Sequence, residues 1–369
     1  MPIIRSLTLI TGLTCGLSLV ALAQDSAFTR QTAQGLLRDV RRITTPNGIE
    51  QLTPVQIGGV RQWISVRGRD TANPILLFLH GGPGFAELPA SWIYQSGLED
   101  HFTVVQWDQR GAGKSTFDEN GQPLSKTITY DRMVQDTEEM ADYLRKTYHR
   151  QRIFVAGHSW GSVIGLELAR KHPDWLHAYV GIGQVIDMLE GEKVSYEFVL
   201  AEAKKRGNKE AIEQLESIAP YPDPKGIKVR SVLIERTWVN AFGGMSYGRE
   251  GLNYELGARV LSPEWTDADL KADDNGETLT RLMSGLLGTN FTQITKLDCP
   301  VVIMGGRYDY AVPTIVAEKW FKALTAPVKH FFWFENTAHM VQMERPGLFA
   351  MHMINDVRPL VARKGDGRL

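Results

Sequence analysis

One stretch decides the fold of this chain: Arg152-Ile153-Phe154-Val155-Ala156-Gly157-His158-Ser159-Trp160-Gly161. Its first half is apolar and rich in β-forming residues, which predicts a buried strand, and residues 163–170 predict a helix after it. The glycines of the G-x-S-x-G run permit a turn too tight for larger side chains, and such a turn presents the serine hydroxyl at the top of a sheet. We therefore predict that Ser159 is a nucleophile. The backbone N–H of Trp160, at the start of the helix, is predicted to bind an oxyanion.

Other apolar runs predict the rest of a mostly parallel sheet. They cover residues 75–79, 102–107, 178–183, 299–305 and 328–334. Segments of helical periodicity alternate with them, including residues 130–148 and 341–357. Buried strands that alternate with helices are typical of an α/β domain whose central sheet is flanked by helices.

The strand pattern stops between residues 186 and 297, where the sequence is polar and mostly helical. An insertion of this kind would lie over the carboxyl ends of the strands, where open α/β sheets bind their ligands. We therefore predict a core made of residues 24–185 and 298–369, with residues 186–297 as an inserted, mostly helical cap.

A serine hydroxyl needs a general base, and in the α/β-hydrolase fold the acid and the histidine follow the serine in that order. Asp309 comes directly after one predicted strand and His339 comes directly after the next. Both residues should therefore lie at the sheet edge where Ser159 emerges. We predict an α/β-hydrolase fold with Ser159, Asp309 and His339 as its catalytic triad.

Other candidates for the acid and the base are less well placed in the sequence. Asp298 precedes its strand, which puts it at the opposite edge of the sheet, and Asp356 falls in the last turn of the final predicted helix. His158 is too close to Ser159 along the turn to act as its base.

A second oxyanion donor is predicted from the run HGGPG at residues 80–84, which follows a predicted strand. Glycines let a backbone approach the substrate closely, and Pro83 limits the freedom of the loop. We assign the donor N–H to Gly82, with Gly81 as the alternative and as a substrate-binding residue.

Charge and composition exclude several classes of function. The 369 residues carry 41 basic and 42 acidic side chains, for a net charge of -1, so no basic field attracts nucleic acid. Residues 111–115 resemble the end of a phosphate-binding loop, but Asp108 stands where that loop requires glycine. No Cys and His residues have metal-ligand spacing. We predict no metal and no cofactor.

The first 23 residues have the pattern of a secretory signal peptide. A basic start is followed by an apolar, uncharged stretch and by Ala21-Leu22-Ala23, which fits a cleavage site. We predict cleavage after Ala23, a secreted or periplasmic protein, and no stable membrane insertion afterwards. An uncleaved anchor is the alternative, but its apolar core is short. Cleavage removes Cys15 and leaves Cys299 alone, so no internal disulfide is expected.

Together these motifs resemble the proline iminopeptidases, the prolyl aminopeptidases of the α/β-hydrolase superfamily. The resemblance is carried by HGGPG at 80–84, DQRGAGKS at 108–115, GHSWGS at 157–162, GRYD at 306–309 and the histidine loop at 338–339. It implies removal of an N-terminal proline from small peptides through an acyl-enzyme and without a metal. It also implies that acidic residues of the cap hold the free amine of the substrate.

This chain differs from the family pattern at two places. His158 stands where glycine is usual, and the cap run at residues 236–240 keeps one tryptophan and lacks the glutamate. Glu235 is the candidate to bind the amine instead, with Glu197 and Glu202 as alternatives, and Tyr310 is a candidate for the pocket wall. Prolyl aminopeptidase activity is the leading expectation. Hydrolysis of a carboxylic ester or lactone is the first alternative, and a non-catalytic binding protein is the second.

Overall fold

The computed structural model describes residues 28–223, 226–273 and 276–361. The predicted signal peptide, residues 1–23, lies outside these ranges. Within them, no helix combines the length and the apolar character needed to cross a membrane.

Eight strands form one sheet with the order β1-β2-β4-β3-β5-β6-β7-β8. The strands are β1 (Ile49–Ile57), β2 (Val60–Gly68), β3 (Ile75–Leu79), β4 (Thr103–Asp108), β5 (Ile153–His158), β6 (Leu176–Ile182), β7 (Val301–Gly306) and β8 (Lys329–Phe334). The β1–β2 and β2–β4 pairs are antiparallel, and all other neighbouring strands are parallel. The prediction of a mostly parallel sheet in an α/β-hydrolase fold is confirmed. The antiparallel strands β1 and β2 extend this sheet at one end and were not predicted.

Helices accompany these strands along the chain. They are α1 (Arg30–Val40), α2 (Tyr130–Thr147), α3 (Trp160–Lys171), α4 (Met188–Lys205), α5 (Lys209–Glu216), α6 (Val229–Ala241), α7 (Asn253–Val260), α8 (Asp267–Ala272), α9 (Gly276–Leu287), α10 (Thr314–Ala323), α11 (Val341–Glu344) and α12 (Pro346–His352). The sequence between β6 and β7 thus contains α4 to α9 and, among the described residues, no strand of the sheet.

The core lies on both faces of the sheet. Along β3, for example, Leu77 and Leu79 belong to one apolar cluster, whereas Leu76 and Phe78 belong to another. Successive side chains of a strand point to opposite faces, so a strand covered on both sides must be apolar throughout. This explains why the central strands appear in the sequence as continuous apolar runs.

The C-terminal segment differs from the single helix predicted for residues 341–357. Helix α11 ends at Glu344, α12 begins at Pro346, and a π-helical turn follows over Met353–Val357. Arg345 between the first two has φ -134° and ψ 59°, outside the helical region. Proline disfavours the helical conformation of the residue before it, which is the physical reason for the break.

A buried ion pair ties the segment after β4 to helix α2. Asp136 is fully buried and accepts hydrogen bonds from Arg110 Nε at 2.6 Å and from Gln62 Nε2 at 2.9 Å. Arg110 is 2% exposed and also donates to the carbonyl oxygen of Gly58 at 3.0 Å. The pair therefore joins β1, β2, α2 and the start of the DQRGAGKS run.

We expect Asp136→Ala to destabilise the protein by about 3–5 kcal/mol, because it leaves the Arg110 guanidinium buried without its counter-ion. The measurement is the midpoint of guanidinium chloride unfolding. Gln135→Ala, at an exposed position of the same helix, is the control and should change the unfolding free energy by less than about 0.5 kcal/mol. Equal midpoints for the two variants would contradict the role assigned to Asp136.

Candidate active site

Ser159 stands in a tight turn between β5 and α3, with φ 52° and ψ -116°. A residue with a Cβ atom rarely adopts a positive φ, so the surrounding structure has to hold the backbone of Ser159 in this conformation. The two flanking glycines show how it does so. A Cβ atom on Gly157 would lie 2.3 Å from the carbonyl oxygen of Gly161, and one on Gly161 would lie 2.0 Å from the carbonyl oxygen of Leu79.

Asp309 and His339 meet where β7 and β8 end. His339 Nδ1 lies 2.8 Å from Asp309 Oδ2, and both residues are buried. The other carboxylate oxygen of Asp309 accepts the N–H of Val312 at 2.8 Å. A Cβ atom on Gly183, just after β6, would lie 3.0 Å from the His339 ring, so this glycine makes room for it. With Nδ1 engaged, Nε2 is the ring nitrogen left for a reacting group.

Two backbone N–H groups beside Ser159 have no acceptor among the described residues. They belong to Trp160, the first residue of α3, and to Gly82, which has φ 111°. The N–H of Gly81, by contrast, donates to Glu87 Oε1 at 3.3 Å. Of the two candidates in the HGGPG run, Gly82 therefore has the free donor. Gly81 lies against the serine, since a Cβ atom there would be 3.1 Å from Ser159 Cβ.

Gln109, which follows β4, connects the HGGPG loop to the serine turn. Its side chain donates to the carbonyl oxygen of His80 at 3.1 Å and accepts the indole N–H of Trp160 at 3.1 Å. Its backbone N–H donates to His80 Nε2 at 3.2 Å. Burial lowers the pKa of His80 to about 4, so this ring is neutral and can accept that bond. Gln109, in the DQRGAGKS run, thus holds the HGGPG loop and the serine turn together.

A cavity of about 240 Å³ brings the predicted residues together. Ser159, His339, Gly81 and Gly82 all line it. The cap contributes apolar side chains to the same wall: Met245, Leu252 and Leu279. Within the described part of the chain, no cluster of three or more His, Cys, Asp or Glu side chains could hold a metal ion.

Two of the predicted substrate-binding residues, Glu235 and Tyr310, do not line this cavity. Tyr310 stacks on Phe198 with ring centroids 3.7 Å apart. Glu235 is fully buried in α6, where it bonds to Ser195 and pairs with Arg236. Its charge is already neutralised by a cation of the protein.

The group around Glu235 serves instead to attach the cap to the loop that carries Asp309. Arg236 pairs with Glu192 as well and donates to the carbonyl oxygen of Ala311 at 2.9 Å. Ser195 donates to the carbonyl oxygen of Tyr310. The two alternatives to Glu235 do not line the cavity either. Glu197 is exposed, and Glu202 pairs with Lys205 and Arg206.

Sequence reasoning missed two buried acidic residues near the cavity. Glu87 lines it and contacts His158, with His158 Nδ1 2.5 Å from Glu87 Oε1. Glu255 lies on α7 and interacts electrostatically with Glu87 and His158, and its carboxylate oxygens have no hydrogen-bond partner. Burial raises the pKa of Glu255 to about 7, and Arg259 Nη1 lies 3.7 Å away.

The sequence carries a weak signal for the first of these residues and none for the second. Glu87 lies three residues after HGGPG among apolar neighbours, and an acidic residue there could have been read as part of the loop. Glu255 and Arg259 have the i,i+4 spacing of an ordinary exposed helix pair, so nothing in the sequence marks them as buried.

Known proteins resemble this chain in sequence and in fold. The family model for the alpha/beta hydrolase fold matches residues 74–346. The probable aminopeptidase YbaC of Bacillus subtilis (strain 168) is 30% identical over 313 residues, which cover 84% of this chain and 96% of that relative. The proline iminopeptidase of Elizabethkingia meningoseptica is 26% identical over 272 residues, 72% of this chain and 84% of the relative.

A solved structure shows the same architecture. A proline iminopeptidase-related protein from Thermus thermophilus superposes with a TM-score of 0.60 at 20% sequence identity. The match covers 85% of this chain and 99% of that one. At this identity the likeness bears on the fold alone.

We expect Gly161→Ala to lower the free energy of unfolding by about 1–3 kcal/mol or more, because the new methyl group meets the backbone of β3, which cannot move aside without disrupting the sheet. Thermal unfolding measures the effect. Gly35→Ala is the control, since a Cβ atom there would meet no atom within 4 Å, and it should be neutral or slightly stabilising in its helix. A Gly161→Ala protein as stable as this control would contradict the account of the turn.

Proposed function

This chain belongs to the α/β-hydrolase family and is similar to proline iminopeptidases, and on that premise we propose that it is a serine hydrolase that works through an acyl-enzyme. One observation carries the proposal. Ser159, in its positive-φ turn, shares a cavity with His339, whose Nδ1 is held by the buried Asp309. This combination of a presented hydroxyl, a base and an orienting acid suits nucleophilic catalysis.

In the first half of the proposed reaction, Ser159 Oγ attacks the carbonyl carbon of the substrate while His339 Nε2 takes the hydroxyl proton. Asp309 accepts the Nδ1–H bond and stabilises the imidazolium that forms. The carbonyl oxygen becomes an oxyanion, which the N–H groups of Gly82 and Trp160 bind. These donors are fixed before the reaction, so they stabilise the charge without reorganising.

In the second half, the oxyanion collapses and the leaving group departs with the proton from His339. This leaves an acyl group on Ser159. A water molecule then gives a proton to His339 and attacks the acyl carbon. A second collapse returns the proton to Ser159 and releases the carboxylic acid.

For the substrate, we propose a short peptide with a free N-terminal amine, N-terminal proline in particular. Such an ammonium group needs a carboxylate near the serine that no protein cation or hydrogen bond already satisfies. Glu255 meets this condition better than Glu235, because its oxygens accept no hydrogen bond and Arg259 Nη1 is 3.7 Å away. Glu255 does not itself line the cavity, but it interacts electrostatically with Glu87 and His158, which do.

A second candidate function is hydrolysis of a carboxylic ester. The observation that favours it is the apolar side-chain wall of the cavity, formed by Phe85, Met245, Leu252, Leu279 and Met340. An acyl chain would be buried against these side chains without any requirement for a charged partner.

We expect the protein to release p-nitroaniline from proline p-nitroanilide. Ser159→Ala and Asp309→Asn should each lower kcat by a factor on the order of 10⁴, because one removes the nucleophile and the other the group that orients the base. The assay follows absorbance for the parent protein and both variants. p-Nitrophenyl acetate and an N-blocked proline p-nitroanilide are measured in parallel.

The outcomes separate the candidates. Cleavage of the free proline amide but not of the blocked one, lost in Ser159→Ala, supports the aminopeptidase. Cleavage of the ester alone, also lost in Ser159→Ala, means that the mechanism stands and the ester hydrolase is the correct reading. If neither substrate reacts, reaction with a fluorophosphonate at Ser159 decides whether the serine is a nucleophile at all.

We expect Glu255→Gln to raise KM for proline p-nitroanilide by about tenfold to a hundredfold, since it removes a charge-assisted bond to the substrate ammonium. Because the pKa of Glu255 is raised to about 7, the affinity of the parent protein for this substrate should increase as the pH rises through that value. Kinetics on p-nitrophenyl acetate provide the matched control and should not change. Glu202→Gln, on the outer side of α4, should leave both substrates unaffected; a KM unchanged in Glu255→Gln would rule out the assigned role.

A further inference from the structure

His158, the residue before Ser159, has both ring nitrogens in hydrogen bonds. Nδ1 lies 2.5 Å from Glu87 Oε1, and Nε2 lies 3.1 Å from the main-chain carbonyl oxygen of His339. The ring is 3% exposed. A carbonyl oxygen and a carboxylate only accept hydrogen bonds, so both nitrogens have to donate. An imidazole can do this only as the protonated imidazolium.

Glu87 is built to remain a carboxylate. Its Oε1 also accepts the N–H of Gly81, and its Oε2 accepts from Gln342 Nε2 at 2.9 Å and from the Tyr94 hydroxyl at 3.3 Å. Burial would raise the pKa of Glu87, but the charge and hydrogen bonds around it outweigh burial and hold the pKa below its usual value. Burial alone would lower the pKa of His158. The negative charge of Glu87 and its hydrogen bond outweigh the effect of burial, so the pKa of His158 is raised.

The second bond of His158 reaches the main chain of the proposed base. The carbonyl group of His339 accepts from His158, while its N–H donates to the carbonyl oxygen of Met245 in the cap at 3.1 Å. The peptide groups on both sides of the His339 side chain are therefore tied to neighbours. The two histidine rings also lie against each other, with centroids 4.8 Å apart and an angle of 39°.

We infer that His158 is a positioning residue for the proposed hydrolase reaction, an inference that rests on the proposed function. Its protonated ring fixes the main chain of His339 and places a positive charge beside the ring of that base. Glycine, the residue of the family pattern at this position, could supply neither the bond nor the charge. The carboxyl group of Glu87 is the third member of this arrangement, because it keeps the buried ring of His158 protonated.

Acidic groups from several elements act on His158. The carboxyl groups of Glu87 and Asp309 attract a proton to it, and Glu255 on α7 lies within its electrostatic reach. His80 is neutral, because burial lowers its pKa to about 4.

The first test is nitrogen-15 NMR of the histidine side chains in the full-length protein at pH 7. Both ring nitrogens of His158 are expected to carry protons. This readout requires neither a substrate nor a variant that folds. A neutral His158 ring at pH 7 would overturn the inference.

The second test is the rate at which a fluorophosphonate labels Ser159, measured across pH. In His158→Gln we expect labelling at neutral pH to be about tenfold slower or more, because the base is no longer held in place. In the parent protein the rate should also fall at alkaline pH, as the His158 ring loses its proton, and His158→Gln should lack this fall. His352→Gln, which removes the histidine of a histidine–carboxylate pair with Asp356 away from the site, is the control and should match the parent protein.

The outcomes are distinct from those of the proposed function. No labelling of the parent protein would overturn the serine-hydrolase proposal and this inference with it. Labelling of the parent with an unchanged rate and profile in His158→Gln would overturn the inference alone, as would a slower rate that still falls at alkaline pH as in the parent. Should the single variant fail to fold, the double variant His158→Gln, Glu87→Gln leaves no unpaired buried carboxylate and is expected to show the same loss of rate and the same absence of the alkaline fall.

Discussion

The site depends on how closely helix α3 can approach strand β3. Gly161 lies so near the carbonyl oxygen of Leu79 that no side chain fits between them. This close packing forces the chain to leave β5 abruptly and gives Ser159 a backbone conformation that an isolated peptide would avoid. It also brings the first N–H of α3 beside the loop after β3. Ser159, the proposed nucleophile, and the N–H groups of Trp160 and Gly82, the proposed oxyanion donors, are thus parts of a single packing arrangement.

Buried charged residues connect the cap to the loops around this turn at two separate places. On one side, Arg236 and Ser195 bond to the loop that follows Asp309. On the other, Arg259 of α7 bonds to the carbonyl oxygen of Ala86 and lies over the ring of Phe85, 4.4 Å from its centroid. Breaking such contacts leaves unpaired charge in a dry environment, which costs several kcal/mol. The cap therefore takes part in the geometry of the acid loop and of the HGGPG loop.

The sequence was sufficient to locate Ser159, Asp309 and His339 at one edge of the sheet, because each follows a strand directly and strand ends are local features. The central strands were found for the same reason. Strands β1 and β2 were missed because polar residues are interspersed along them, and in β2 several of those polar residues, such as Gln62 and Arg67, are buried. The burial of Glu255 and the pairing of Glu235 with Arg236 were not predictable, because charged residues on a helix look alike in sequence until tertiary packing decides which of them is buried and what it contacts. The break at Arg345 was readable in principle from the proline after it.

Two parts of the chain form the cavity wall. Ser159 and His339 come from loops of the core, and the cap contributes apolar side chains. Met245, Leu252 and Leu279 touch the space where substrate would lie, yet none of them holds Ser159 or His339 through its side chain. In evolutionary terms, the residues assigned to substrate range and those assigned to the chemical step can change independently of each other. Under the proposed function, substitutions at these three positions change which acyl group is accepted, while the turn at Gly161 preserves the proposed reaction. A lineage of such proteins can diversify its substrates without rebuilding its catalytic centre.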